Sequence, residues 1–323
     1  MIGWLWDQIG TLIGLALLLV LAAAVYAPLE SLSWFAGWSG KKPDPREFLK
    51  LKDKVPPPDP ANIKKYYLIY LSGIGAAEAD GLNPEEAQFV ERLAQMMPDA
   101  EVIVDVFPYS VNNNPLTGER ALTPLWRLAR DRQAKNPNDP LALVLVNIRN
   151  FLQVFVSADP RYGPIYGMGL AQEIAKSLVR HNYPLGTGKP LFLIGYSGGG
   201  QVSIGAAPYI TPVIGGPVYV ITVGGFLSDD PSVQQVKVLL HQYGDKDPLQ
   251  GMAAYLWSGR WPMMQQSPWN RSVRAGKIKL KSLGPMAHNG TGWYYDSKVT
   301  LPDGRTYQQA TAEAIKGAVE GAE

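Results

Sequence analysis

At 323 residues, 46% apolar and 18% charged, the chain can bury a sizeable core, which excludes a disordered protein. Its formal charge of +2 is spread over interspersed Lys, Arg, Asp and Glu, leaving no concentrated basic face for nucleic acid. There is no cysteine, so disulfides, thiolate metal sites and cysteine nucleophiles are excluded, and any chemistry rests on oxygen and nitrogen groups.

The chain opens on an uncharged apolar run, Ile9 to Ala27. At a rise of ~1.5 Å per residue it can cross a hydrocarbon layer of roughly 30 Å. Trp4 and Trp6 before it, and Trp34, Phe35 and Trp38 after it, suit the two headgroup zones. Residues 1–40 are therefore expected to form a single-pass transmembrane anchor, with the lipid bilayer as partner. A cleaved signal peptide, favoured by the small residues Ala22 to Ala24 and Ala27, is the competing reading; the lack of any Lys or Arg ahead of the run opposes it. Lys41, Lys42, Arg46, Lys50, Lys52 and Lys54 follow the run and only Asp7 precedes it, so the positive-inside rule puts the remainder in the cytoplasm. Residues 41–62, with Pro56-Pro57-Pro58, read as an extended, solvated stalk.

Over 63–323, short apolar runs alternate with helical patterns, the signature of an α/β fold with a mostly parallel sheet flanked by helices. The expected strands are Tyr66–Leu71, Val102–Phe107, Leu191–Tyr196, Val218–Val223, Val236–His241 and Lys277–Leu283. Asn83 is placed to cap a helix that Pro84 opens and Pro98 stops, with Glu86 at the capping-box position. Leu141–Val156 is apolar enough for a buried helix or a strand and is read as helix. Gly169–His181 and Tyr307–Gly321 read as further helices.

The strand Leu191–Tyr196 runs into Gly195-Tyr196-Ser197-Gly198-Gly199, a Gly-x-Ser-x-Gly turn leading to a helix expected near Gly200. A nucleophilic serine on such a strained strand-to-helix turn needs glycines around it, because side chains there would collide with strand and helix. The Gly198 N–H, at the helix amino terminus, would face an oxyanion forming on a substrate. A glycine-rich loop that merely contains a serine is the bland reading.

In this segment, LFLIGYSGGG, the chain resembles the α/β-hydrolase superfamily, and the resemblance extends from Tyr66 to the carboxyl terminus. It implies a capless lipase- or esterase-like serine hydrolase with the order serine, acid, histidine. Asp247, in Gly244-Asp245-Lys246-Asp247-Pro248, then matches the acid, with Asp245 as local runner-up and Asp229 and Asp230 behind them; both loop aspartates could instead simply stabilise a turn. Of the three histidines, His288 follows the last expected strand, where the superfamily keeps its base, whereas His241 and His181 read as structural. By the same analogy the second oxyanion donor comes from Ser72-Gly73-Ile74-Gly75, through the N–H of Gly73 or Ile74. Gly73-x-Gly75 lacks the third glycine of a dinucleotide loop.

No cofactor and no catalytic metal are expected, since no ligand spacing accompanies the histidines. The short interval between Ser197 and Asp247 leaves no room for a large cap. Pro248–Trp269 is rich in bulky apolar groups, Met252, Tyr255, Leu256, Trp257, Trp261, Met263, Met264 and Trp269, which suit an acyl-binding wall, a membrane-facing flap or plain core packing. With the anchor, they point to an apolar acyl or ester substrate near the bilayer. A non-catalytic scaffold on the same fold, an acyltransferase and a peptidase are the other readings.

Overall fold

The computed structural model describes residues 2–38, 42–79, 81–113, 127–129, 131–132, 135–136 and 139–322. Lys41, and the side chains of Trp4, Trp6, Asp7 and most of Ile9–Val20, lie outside the described residues. The first helix, α1, is Ile2–Ala36, longer than the apolar run that marks it. Its last turns dock on the domain: Ala27 and Ser31 are buried, and Trp34 packs against the core. Leu18, Leu21 and Val25, all ahead of Ala27, are exposed.

Within the segment expected as an extended, solvated stalk, residues 42–62 carry short helices and contacts to the domain while staying exposed or half-buried. Asp44 caps a short helix α2, Pro45–Leu49, and α3 follows at Leu51–Lys54. Phe48 and Leu51 lean on the core, and Asp59 exchanges two hydrogen bonds with Asn182, at 2.7 and 2.9 Å. The proline run between these anchors has no regular secondary structure, and Pro56 and Pro57 are exposed.

The sheet is built from β1 (Tyr66–Leu71), β2 (Ala100–Ile103), β3 (Leu191–Tyr196), β4 (Val218–Val223), β5 (Val238–Tyr243) and β6 (Ile278–Ser282). All neighbours are parallel, in the order β2-β1-β3-β4-β5-β6. Strands buried on both faces need continuous apolar runs, which is why β1 reads YYLIYL and is buried throughout. Alternate side chains divide between two layers: Tyr67, Ile69, Leu191 and Leu193 join one core, and Leu68, Tyr70, Phe192 and Ile194 the other.

The helices α4 (Pro84–Met96), α5 (Pro140–Ala158), α6 (Gly163–Arg180), α7 (Gly198–Ile214), α8 (Pro248–Leu256), α9 (Pro268–Arg274) and α10 (Tyr307–Glu320) complete the fold. Helices α6 and α7 cover the first core, α4 and α10 the second. Helix α5 is, among the described residues, the one helix long and apolar enough to cross a membrane by length and composition. It packs against α1 and α7, and its Val146 and Val154 are buried.

Several element boundaries differ from expectation, three of them by more than one residue within the sheet and its first covering helix. Strand β2 ends at Ile103, because beyond it Asp105 turns to Ser177 and Arg180, and the Phe107 N–H donates to the Asn113 side chain. Strand β5 begins and ends two residues later than the apolar run suggests, following its ladder with β4 and β6 out to Tyr243. Helix α6 starts six residues early, through Gly163 and Gly167. A Cβ on Gly167 would lie 2.2 Å from the Gly205 carbonyl oxygen, so close packing on α7 outweighs glycine's poor helix propensity.

From β1 the chain moves outward to β2 and then returns to β3 on the other side of β1. The loops after β1 and β3 diverge there, leaving a crevice at the carboxyl ends of the two strands, the usual place for a site in an open α/β sheet.

Candidate active site

Ser197 sits at that crevice with φ 52° and ψ −119°, a strained backbone for a residue with a side chain. The turn is held by Ser197 N–H donating to Val223 and by the Ser197 carbonyl accepting from Gly200 and Phe226. Its glycines are sterically required: a Cβ on Gly195 would meet the Gly199 carbonyl at 2.5 Å, and one on Gly199 the Leu71 carbonyl oxygen at 2.2 Å. Helix α7 consequently starts at Gly198, two residues before expectation.

Three side chains distant in sequence meet here. His288 Nε2 is 2.8 Å from Ser197 Oγ, and His288 Nδ1 is 2.8 Å from Asp247 Oδ2. Asp247 is held from both sides. Its Oδ1 caps α8 by accepting from the Leu249 N–H at 2.9 Å, and its Oδ2 also accepts from the Tyr294 hydroxyl at 2.6 Å. Burial alone would raise this carboxyl, but the bonds from His288, Tyr294 and Leu249 outweigh it and hold it below the ordinary aspartate value. His288 is oriented in turn by Tyr196, whose hydroxyl donates to the His288 carbonyl at 2.6 Å and whose ring stacks on the imidazole.

The other acids are engaged elsewhere. Asp245 accepts from Ser282 Oγ, Asp229 from the Gly259 N–H, and Asp230 from Ser232 and Gln201. His241 is fully buried in β5 against Thr222, and burial beside Arg260 pushes its pKa down to about 3, so it stays neutral. His181 pairs with Glu101 at the far end of α6.

The loop after β1 is packed against Tyr196, the neighbour of Ser197, since a Cβ on Gly73 would lie 2.7 Å from the Tyr196 ring. Gly73, one of the two expected oxyanion donors, gives its N–H to Glu86 Oε1 at 3.3 Å. Glu86 is turned inward for this: its carboxylate accepts from the Tyr70 hydroxyl at 2.6 Å rather than reaching back to the Asn83 backbone as a capping box would. The Asn83 side chain still caps α4. Burial pushes Glu86 up to about 7, against the lowering effect of the Tyr70 and Gly73 bonds. The N–H groups of Ile74 and Gly198 have no acceptor among the described residues, and a Cβ on Gly198 would meet Ile74 Cγ2 at 3.0 Å. The Ile74 side chain thus packs on Gly198, next to Ser197.

The bulky apolar groups of 248–269 are divided between packed and exposed positions. Trp257 packs with Phe155 and Phe226, and Phe226 is bonded directly to the elbow. Met252, Tyr255, Leu256, Trp261, Met263 and Met264 are exposed. Trp269 is core instead, 5% exposed with the Arg260 guanidinium over its ring. Among the described residues, no group of His, Asp and Glu could hold a metal ion.

Sequence reasoning gave no site role to Tyr294, Tyr196, Glu86 or Tyr109. Tyr294 belongs to the run Trp293-Tyr294-Tyr295 shortly after His288, a cluster of aromatic rings that could have drawn attention to itself.

No protein-family model matches the chain, and no curated protein does. Among solved structures, the crystal structure of esterase PE8 is similar with a TM-score of 0.37 and 14% identity, over 80% of this chain and 95% of that one.

Proposed function

We propose that the chain is a membrane-anchored serine hydrolase of α/β-hydrolase type that cleaves carboxylic esters of apolar acyl groups through an acyl-enzyme on Ser197. The observation that carries this reading is the hydrogen-bonded series Ser197 Oγ, His288, Asp247, with 2.8 Å at each link, mounted on a strained elbow. In the first half-reaction His288 Nε2 accepts the Ser197 proton as Oγ bonds to the ester carbonyl carbon. The carbonyl oxygen becomes an oxyanion, received by the N–H groups of Gly198 and Ile74, while Asp247 stabilises the imidazolium. Collapse breaks the bond to the leaving alcohol, which takes the proton from His288. Water, deprotonated by His288, then releases the acid and restores Ser197.

Phe226, Phe155 and Trp257 beside the elbow supply an apolar surface for the acyl chain. Residues 63–323 carry the chemistry and Ile9–Ala27 the anchor, with exposed Leu18, Leu21 and Val25 facing lipid and the basic residues after the run keeping the domain cytoplasmic. The test is hydrolysis of p-nitrophenyl esters from acetate to laurate by the detergent-solubilised chain, together with alkaline extraction of membranes from expressing cells. Turnover that rises with acyl length, and retention in the extracted membranes, support the reading. A folded chain with no turnover on any ester, or a chain released by alkali, contradicts it.

A further inference from the structure

The segment Ser72–Ala76, which carries the Ile74 donor, is fastened from outside the sheet. Tyr109 donates its hydroxyl to the Ser72 carbonyl at 2.8 Å, and the Asn150 amide donates to the carbonyls of Ile74 and Ala76 at 2.7 and 2.6 Å. Both side chains are fully buried. An asparagine amide can present either its oxygen or its nitrogen to a neighbour, so something must fix its sense. Arg149 does this: its Nη1 donates to Asn150 Oδ1 at 3.0 Å and to the Tyr109 carbonyl. A guanidinium only donates, so it draws the amide oxygen to itself and leaves the NH₂ facing the two loop carbonyls. The other arm, Nη2, is paired with Glu30 Oε2 at 2.5 Å, and both side chains are largely shielded from water. Glu30 lies in α1, the helix that sequence reasoning assigns to the anchor alone. The Gln153 amide adds a second tie between α5 and α1 by donating to the Ala27 carbonyl at 3.1 Å.

We propose that Glu30, acting through Arg149, is a positioning residue for the oxyanion loop, so that the first helix is a working part of the hydrolytic site as well as its tether. The proposal rests on Ser197 being the nucleophile only for its kinetic consequence; the coupling of Glu30 to the loop is a physical statement in its own right. Removing the Glu30 charge frees the guanidinium to swing toward water, and the Asn150 amide then loses the partner that sets its orientation.

The experiment compares the full-length wild type in detergent with Glu30→Gln, Arg149→Met and the double variant, by hydrogen exchange and by p-nitrophenyl butyrate kinetics. Glu30→Gln keeps the shape of the side chain, and Arg149→Lys, which keeps the charge but not the fork, replaces Arg149→Met if that variant does not fold. Exchange in residues 72–79 is expected to accelerate about tenfold in each single variant while β3 and β4 stay unchanged. Activity is expected to fall roughly 10- to 100-fold in kcat with KM unchanged, and Glu30→Gln to add nothing once Arg149 is replaced. Glu30→Asp, which restores the charge, should recover part of the loss. Unchanged loop exchange in Glu30→Gln, or additive effects in the double variant, overturns the proposal. If the wild type cleaves no ester, the exchange result alone decides: loop-specific acceleration sustains the coupling although the hydrolase reading has fallen.

Discussion

Tyr294 donates its hydroxyl to the same carboxylate oxygen, Asp247 Oδ2, that pairs with His288, at 2.6 and 2.8 Å respectively. Space for this arrangement comes from Gly224, where a Cβ would lie 2.6 Å from the Tyr294 ring and 2.9 Å from Asp247 Oδ2. The acid is thus fixed by a helix cap on one oxygen and by a phenol and an imidazole on the other. Tyr294→Phe removes one of the bonds that hold Asp247 below its ordinary pKa. A carboxyl with a depressed folded-state pKa contributes stability above its unfolded value that is lost as pH falls through the folded one. Acid unfolding, followed by circular dichroism, should therefore begin at higher pH in Tyr294→Phe. Esterase kcat should drop about 10- to 100-fold, in line with one lost hydrogen bond to a charged group.

Glu86 gives the opposite pH signature. Burial raises its pKa to about 7, so the folded state favours the neutral acid, and stability is lost as pH rises from the unfolded value through about 7. Thermal melts of wild type between pH 5 and 9 should decline relative to Glu86→Gln, by a differential on the order of 3 kcal/mol across the range. Parallel melting curves for the two proteins would show that Glu86 does not titrate in this window.

The elbow glycines should differ sharply from a glycine in open space. Gly199→Ala places a Cβ against the Leu71 carbonyl oxygen, within the strand that β3 pairs with, and should cost at least ~3 kcal/mol of stability. Gly251→Ala, in α8 with nothing within 4 Å, should be neutral or more stable by roughly 0.5–1 kcal/mol. Denaturant titration of both variants checks the contrast.

Trp257 offers the most direct handle on substrate preference, because it stacks on Phe155 and touches Phe226 without bonding to Ser197, Asp247 or His288. Trp257→Ala should lower kcat/KM about tenfold for octanoate esters and much less for acetate, since the lost contact scales with buried acyl surface. An equal loss across chain lengths would remove this residue from the acyl surface.

Much of the site was legible because it follows local rules. The Gly-x-Ser-x-Gly turn marks its own geometry, and β1, β3 and β4 are continuous apolar runs with the bounds expected of them, whereas Asp247 is singled out by the resemblance and not as the cap of α8 that it also is. What escaped depends on contacts between residues far apart in the chain. Nothing near Glu86 signals that its carboxylate turns inward to Tyr70 and takes the N–H of Gly73, displacing that residue as an oxyanion donor. Nor does the apolar pattern of α1 show that its last turns dock, since Glu30 meets Arg149 across 119 positions of sequence. The tie between Asp59 and Asn182 after the proline-rich segment is hidden in the same way, because Asn182 lies beyond any local window.

The most direct test of the central claim is covalent labelling of the detergent-solubilised chain with a fluorophosphonate, read by intact mass and peptide mapping, beside Ser197→Ala and His288→Ala. The account predicts one phosphonyl adduct on Ser197 in the wild type, none in Ser197→Ala, and labelling slowed by about a thousandfold or more in His288→Ala. A well-folded wild type that takes up no label, or an adduct on any other residue that persists in Ser197→Ala, would contradict it.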